Sequence, residues 1–438
     1  MSKPSTIYQR PAELLQHLIR FDTTNPPGNE RDCVMFINGL LQDAGIETTI
    51  LAKEENRLNL VARLKGNGRS SPLLMQGHVD VVTTVGQQWE HDPFAGELID
   101  GYVWGRGALD MKGGVAMMVS AFLRAKAEAA DLPGDVILTI LADEENSGVY
   151  GAKFLVEDHP ELFDGVKFAI GEFGGFTMSV AGKTVYPIMV AEKQISWMKL
   201  IVRGPGGHGS FVSRGDAMAR LGTLLQTLDR TRLPVHITPV ARMMLEGFIR
   251  TASFPTSTIL RALLNPTFTN RVLDILGEQG KIFDPLLHNT VNATIVRGGH
   301  KINVIPSEIE VQLDGRLLPG FTPTDMVAEL RPIVGDDIEI EVVEFDPGPP
   351  EPNMTLFDMF GGVLTEADPG GIPVPLLIPG VTDARFFAQL GIQTYGFLPM
   401  QLPPDFAFNG LIHAANERVP AAAVEFGAHA IFQALQRF

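Results

Sequence analysis

Apolar residues recur three and four apart in PAELLQHLIRF (11–21) and ERDCVMFINGLLQDAG (30–45), a spacing that predicts two amphipathic helices. Short apolar runs of strand length follow: NLVARL (59–64), SPLLMQGHVDVV (71–82), DVILTILA (135–142) and VKFAIGEF (166–173). Between the second and third lies MKGGVAMMVSAFLRAKAEAA (111–130), an Ala- and Met-rich helix. Strands alternating with helices predict an α/β layer on a largely parallel sheet.

The pattern changes near residue 193. SWMKLIVRG (196–204) alternates in part as a strand and leads through GPGGHGS into the helical DAMARLGTLLQTLD (216–229). A less regular apolar stretch spans 233–290, followed by the β-like NATIVRGGHKINVIPSEIEVQLDGRLL (292–318), the helical PTDMVAELRPIV (323–334) and the strand DIEIEVVEF (337–345). That order, β-α-β-β-α-β, is ferredoxin-like. DPGPPEPN (346–353) reads as a linker, after which the α/β pattern returns and closes on AAAVEFGAHAIFQALQRF (421–438). The expected organisation is one α/β domain in two pieces, 1–192 and 347–438, with a smaller α+β domain, 193–346, inserted between them.

Composition narrows the functional classes. The 438 residues are 45% hydrophobic and 20% charged, enough for a sizeable core, and the net charge is −16. Phosphate binding needs clustered Lys and Arg, so no nucleic-acid partner is expected. No run of ~18 apolar residues marks a membrane span, and no leader pattern stands at the N-terminus, so the expectation is a soluble cytoplasmic protein. The single cysteine, Cys33, excludes an internal disulfide or a thiolate metal cluster. Its helical setting predicts a buried structural thiol.

Ligands in open α/β sheets gather beyond the carboxyl ends of the strands. GHVD (77–80) closes the run SPLLMQ, and alternate residues of an extended chain face one side. His78 and Asp80 therefore point into one site, both as metal ligands or one as ligand with the other holding it. Asp110 stands in the glycine-rich WGRGALDMKGG before a helix. ADEENSG (142–148) closes DVILTILA with Glu144 and Glu145 side by side, and Glu172 closes VKFAIG. One HxD, or one glutamate after a strand, reads as readily as a structural or solvated turn feature. Four such ends between residues 77 and 172 read as a single cation site, because a divalent cation offsets the repulsion among the carboxylates. His, Asp and Glu without Cys suit Zn2+, with Co2+ or Mn2+ as substitutes.

In chain order, GHVDVV, WGRGALDMKGG, ADEENSG, the glutamate of IGEFGG, GPGGHGS, the asparagine of NVIP, the arginine of LDGRLLPG, TDAR and IHAANERV resemble motifs of the dinuclear zinc hydrolases. That family includes aminoacylases, carboxypeptidase G, acetylornithine deacetylases, succinyl-diaminopimelate desuccinylases and carnosine-type dipeptidases. The likeness runs from residue 77 to 419, the inserted domain included. It implies a zinc-peptidase-like α/β/α catalytic domain and a ferredoxin-like lid through which the chain forms a homodimer. It further implies two Zn2+ per chain, with His78 and Glu172 on one, Glu145 and His413 on the other, and Asp110 bridging. By the same resemblance Asp80 orients His78 through its other ring nitrogen. Glu144 is the general base toward a water between the metals, and the Asp110–Met111 peptide is cis. His208, in GPGGHGS, would cross a dimer interface to stabilise the oxyanion in the partner's active site. Asn303 and Arg316 would hold the substrate carboxylate, and Arg385 would contact a carboxylate or acyl group. From spacing alone, GPGGHGS also reads as a turn before a helix, Arg316 as a structural strand arginine, and Arg385 as a cover for apolar surface.

The expected activity is hydrolysis of an amide beside a free carboxylate, in an N-acyl amino acid or short peptide. The apolar 233–290 stretch resembles the extended lids of N-acyl-amino-acid hydrolases and Gly-X carboxypeptidases, which favours an apolar group on the substrate; equally, it packs the lid's own core. A deacetylase or desuccinylase of amino-acid biosynthesis, and a non-catalytic binding protein on the same fold, are the alternatives.

Overall fold

The apolar runs of the first half form the centre of a nine-stranded sheet in the computed structural model, which describes residues 4–438. Side by side and parallel lie Val136–Leu141, Leu73–His78, Phe168–Gly171 and Gln393–Gly396. The first two are buried at every residue, which is why they read as unbroken apolar runs rather than as alternations. The parallel expectation holds only for this centre. At one edge Thr48–Ala52 pairs antiparallel with Leu58–Leu64, which pairs antiparallel with Val136–Leu141. The segment 53–57 is too short for the crossover that a parallel pair requires. At the other side Lys183–Glu192 meets Gln393–Gly396 antiparallel at Met189.

The helix Lys112–Ala127 is buried along nearly its whole length, and its small residues let it pack closely. Cys33 is buried as expected, and burial pushes its thiol up to about 11. Among the described residues, no helix is long and apolar enough to cross a membrane.

The chain divides into two compact units. One comprises residues up to Val190, Asn353–Leu376 and Thr382–Phe438; the other comprises Ala191–Pro352 with Leu377–Val381. The second unit holds a four-stranded antiparallel sheet in the order Thr290–Gly298, Glu308–Leu317, Gln194–Arg203, Glu339–Phe345. Glu308–Leu317 buries every second residue. Ile309, Val311 and Leu313 join Leu224 of helix Ala217–Arg230 and Met326 and Leu330 of helix Pro323–Val334 in one core. A capping box of Thr322 and Asp325 starts the latter helix.

The stretch 233–290 is regular after all. It forms the helices Pro239–Thr251, Thr256–Leu263, Pro266–Leu276 and Asp284–Leu287. Two of their starts were marked in the sequence: Thr238 caps Ala241, Asn265 caps Thr267, and proline follows each. The stretch buries Met244, Leu245, Leu263 and Leu287 but exposes Phe254 and Ile275, so core packing accounts for part of its apolar content.

Candidate metal centre

Sheet order brings the acidic strand ends together. Leu73–His78 lies between Val136–Leu141 and Phe168–Gly171, all three parallel. His78, the 144–145 pair and Glu172 therefore leave the sheet at one edge. Asp110 arrives on the tight loop before helix Lys112–Ala127; a Cβ at Gly113 would collide with the Ala108 carbonyl. The Asp110–Met111 peptide is cis. His413 comes from the segment that follows the short helix Phe408–Leu411.

Two groups of potential ligands result, His78 with Asp110 and Glu172, and Asp110 with Glu145 and His413, the ligand atoms of each lying within 4.8 Å of one another. Nε2 of His78 is 3.3 Å from Asp110 Oδ1 and 3.6 Å from Glu172 Oε2. Nε2 of His413 is 3.1 Å from both Asp110 Oδ2 and Glu145 Oε2. The two oxygens of Asp110 thus face different groups. Glu144 belongs to neither; its Oε2 stands 3.8 Å from His78 Nε2.

Asp80 faces the other ring nitrogen of His78 with both its main chain and its carboxylate. His78 Nδ1 lies 3.0 Å from the Asp80 backbone oxygen and 3.5 Å from its Oδ1. The carboxylate also accepts from the amides of Glu144 and Glu145, each at 3.1 Å, and from Asn25 Nδ2 at 2.9 Å. One residue therefore holds both His78 and the main chain of the glutamate pair. Asp143 supports the same turn. At φ 69° its carbonyl accepts from Ser147 and Gly148, while its carboxylate takes Asn25, Arg57, Ser147 and the Tyr150 amide. Arg57 also pairs with buried Glu30 through two bonds of 2.8 and 2.9 Å, the fork geometry suited to a carboxylate. A Cβ at Gly151, which closes the turn, would collide with the Ala142 carbonyl.

The second support is Glu417, buried in NERV. It accepts from Arg106 Nη1 at 2.6 Å and from the amides of Gly107, Leu109 and Asp110 at 3.2, 2.7 and 3.2 Å. Sequence reasoning quoted its motif without giving it a role, and missed Asn25, Arg57 and Arg106. Their only signal was charge or amide beside apolar or glycine-rich runs, which does not reveal a partner far along the chain.

The electrostatics suit a cation. Burial, then neighbouring carboxylates, push Glu144 well above the usual range; burial and the Asp110 charge push Glu145 up to about 7. Glu172 rises to about 7, burial outweighing its bond to His78. Hydrogen bonds to Asp110 and Glu145 raise His413 to about 10. Burial would raise Asp110, but the two imidazoles hold it below the usual range. In the protein alone, then, protons are the counter-charges. His78 Nε2 and Glu145 Oε1 are buried without a hydrogen-bond partner, so both have a lone pair or proton to exchange for a metal. The donor set of imidazole and carboxylate fits a divalent ion such as Zn2+.

Of the other expected residues, Arg385 lies in the first turn of the helix Ala384–Gln389, reaches the Ser147 carbonyl at 3.4 Å and lies over the Phe386 ring. Its neighbour Asp383 is buried, and burial lifts its carboxyl to about 7. The other three lie in the second unit. His208 pairs in register with Val304, and the Gly209 amide donates to Asn303 O at 2.9 Å, so His208 and Asn303 are neighbours. His208 Nδ1 is 2.7 Å from Ser210 Oγ. Arg316 sits on Glu308–Leu317, its Nε and Nη2 held by Asp314 at 2.8 and 3.2 Å.

Comparison with known proteins gives a consistent picture. The profile of peptidase family M20/M25/M40 matches residues 74–437. The N-fatty-acyl-amino acid synthase/hydrolase PM20D1 of Homo sapiens is 27% identical over 383 residues, 83% of this chain and 74% of that protein. Aminoacylase-1B of Rattus norvegicus is 24% identical over 419 residues, 93% of this chain and 90% of that protein. The fold is shared with the M20 family metallo-carboxypeptidase Sso-CP2 from Sulfolobus solfataricus, at TM-score 0.66 and 16% identity, over 97% of this chain and 98% of that one.

Proposed function

The chain belongs to peptidase family M20/M25/M40, a family of metal-dependent hydrolases, and from that premise we propose that it hydrolyses the amide bond of N-acyl amino acids carrying an apolar group. The observation that carries the chemistry is the pair of ligand groups sharing Asp110, with Glu144 beside them and in neither. His78, Asp110 and Glu172 would hold one cation, and Asp110, Glu145 and His413 the other. Such cations polarise a carbonyl and make water more acidic at neutral pH.

The chain's own residues account for the proton. Glu144 accepts it from the attacking water and delivers it to the leaving nitrogen, so the C–N bond is replaced by C–O and the products are a carboxylate and an amine. The turn anchored on Asp80 keeps the Glu144 main chain fixed while the proton moves. His208, from the second unit, is assigned to the oxyanion across a homodimer, and Asn303 and Arg316 to the substrate carboxylate; these assignments rest on their motifs. Arg385, close to the ADEENSG turn, is assigned to a carboxylate or acyl group.

An apolar group is supported by the surroundings of Asp110 and Glu172. Beside them lies a recess of Phe173, Phe176, Leu398, Met400, Phe408 and Ile412. Phe176 and Phe408 stack there with centroids 4.0 Å apart. As the rings stand, the recess leaves only about 10 Å³ open, so an acyl chain would enter only with movement of the lining side chains.

A panel of N-acetyl, N-succinyl and long-chain N-acyl amino acids, assayed with Zn2+, tests the substrate class. The expected order of kcat/KM places long-chain acyl first by about tenfold or more, since each buried CH2 contributes roughly 0.8 kcal/mol. Preference for the succinyl compound would replace this reading with a biosynthetic desuccinylase.

A further inference from the structure

Of the candidate ligands, His413 is the least confined. Its side chain is 49% exposed where that of His78 is 1%. Its backbone stands at φ 60°, a left-handed state that non-glycine residues adopt uncommonly. Packing therefore does not fix this imidazole, and its main chain must be held by other means.

The hold lies in the segment 87–90. The Gln87 carboxamide donates from Nε2 to the His413 carbonyl at 2.8 Å. Its Oε1 accepts from Arg106 Nη2 at 2.8 Å and from Trp89 Nε1 at 3.1 Å. Arg106 continues to Glu417, and Glu417 holds the Asp110 amide. Three residues beyond Gln87, the Glu90 amide donates to Asn416 Oδ1 at 2.8 Å, and Glu90 Oε1 accepts from Asn416 Nδ2 at 3.1 Å. Asn416 is also left-handed, at φ 63°. Segment 87–90 thus grips the His413 loop at both ends, and through Gln87 it ties that loop to the one carrying Asp110.

We propose that Gln87 is a positioning residue for the second cation position, coupling the His413 loop to the Asp110 loop. The proposal rests on the two-cation reading above. The coupling needs a donor and an acceptor on one planar group, which a carboxamide supplies. His413 and Asp110 lie together in the second ligand group, and a small displacement of either loop opens the 3.1 Å separation between them. The first group shares Asp110 but lacks His413, so it meets this link at one ligand where the second meets it at two.

Two variants isolate the effect. Gln87→Glu keeps the acceptor toward Arg106 and Trp89 but sets an oxygen against the His413 carbonyl. Gln87→Met removes all three hydrogen bonds while preserving length. Chelator-stripped protein is titrated with Zn2+ against a competing chromophoric chelator, and the melting temperature of the stripped protein is recorded alongside. Wild type is expected to bind two equivalents. Gln87→Glu should bind the first as wild type does and the second about 10- to 100-fold more weakly, the range typical of groups that orient metal ligands. Gln87→Met should fall between the two, and the stripped proteins should melt together. Wild-type affinity for both equivalents in both variants would overturn the proposal, as would equal weakening of both equivalents with a lowered melting temperature. Fewer than two equivalents bound by wild type would overturn the two-cation reading itself, and this proposal with it.

Discussion

Glu144→Ala is expected to lower kcat for an N-acyl amino acid by about 10²–10⁴-fold, the usual contribution of a positioned proton carrier, while metal content stays at the wild-type level. The side chain lies in neither ligand group. Its backbone amide, which helps fix the turn through Asp80, survives the substitution. Burial, and the neighbouring Glu172, Asp383 and Glu145, raise its affinity for a proton. Metal analysis beside steady-state kinetics checks both halves; a loss of metal equal to the loss of rate would contradict the division of labour. The same variant tests His208. Mixed with His208→Ala under conditions of demonstrated subunit exchange, it should recover part of the activity in heterodimers, and no recovery would argue against a histidine acting across subunits.

Glu145→Ala is expected to fail for a different reason. Its Oε2 is 3.1 Å from His413 Nε2, and its Oε1 is buried without a partner. Removing the carboxylate leaves Asp110 and His413 as the remainder of the second group. Metal content should drop to about one equivalent per chain, because a missing ligand costs binding directly. Activity should fall with it and return in part at high added Zn2+. The wild-type site adds a pH signature: a His413 raised to about 10 must release its proton to bind metal. Between about 10 and about 7 each unit of falling pH therefore weakens the second equivalent by about tenfold, and the fall steepens below about 7, where Glu145 also takes a proton. Isothermal titration in buffers of different ionisation heat reads both the stoichiometry and the protons released. Unchanged metal content in Glu145→Ala would contradict the assignment.

How far the sequence carried differs by element. His78, Glu144, Glu145 and Glu172 were legible because strand-length apolar runs end on them and parallel strands share one ligand edge, and Asp110 because it stands in a glycine-rich loop before a helix. His413 was reached by its motif and not by its position, since it lies on an irregular loop far beyond the last central strand. The residues that hold these groups were not legible. Arg57 meets Asp143 and Glu417 meets Asp110 across long sequence separations, and nothing local marks a glutamate as buried among backbone amides. Gln87, in TTVGQQWEHD, carries no pattern at all. The antiparallel edge at 48–64 was not expected, although its short connection excludes a parallel pair, and the helices of 233–290, two of whose starts Thr238-Pro239 and Asn265-Pro266 mark, were obscured by their even apolar content. Asp143, next to the glutamate pair in ADEENSG, serves as the turn's anchor.

The central claim is that two cations held around Asp110 make this chain an amidohydrolase. Stripping the protein with a chelator and restoring Zn2+ stepwise, while following hydrolysis of a long-chain N-acyl amino acid, tests it most directly. Activity should vanish on stripping and recover as the second equivalent binds. Hydrolysis that persists in the stripped protein, or a chain that binds less than about one equivalent and never recovers activity, would contradict the account.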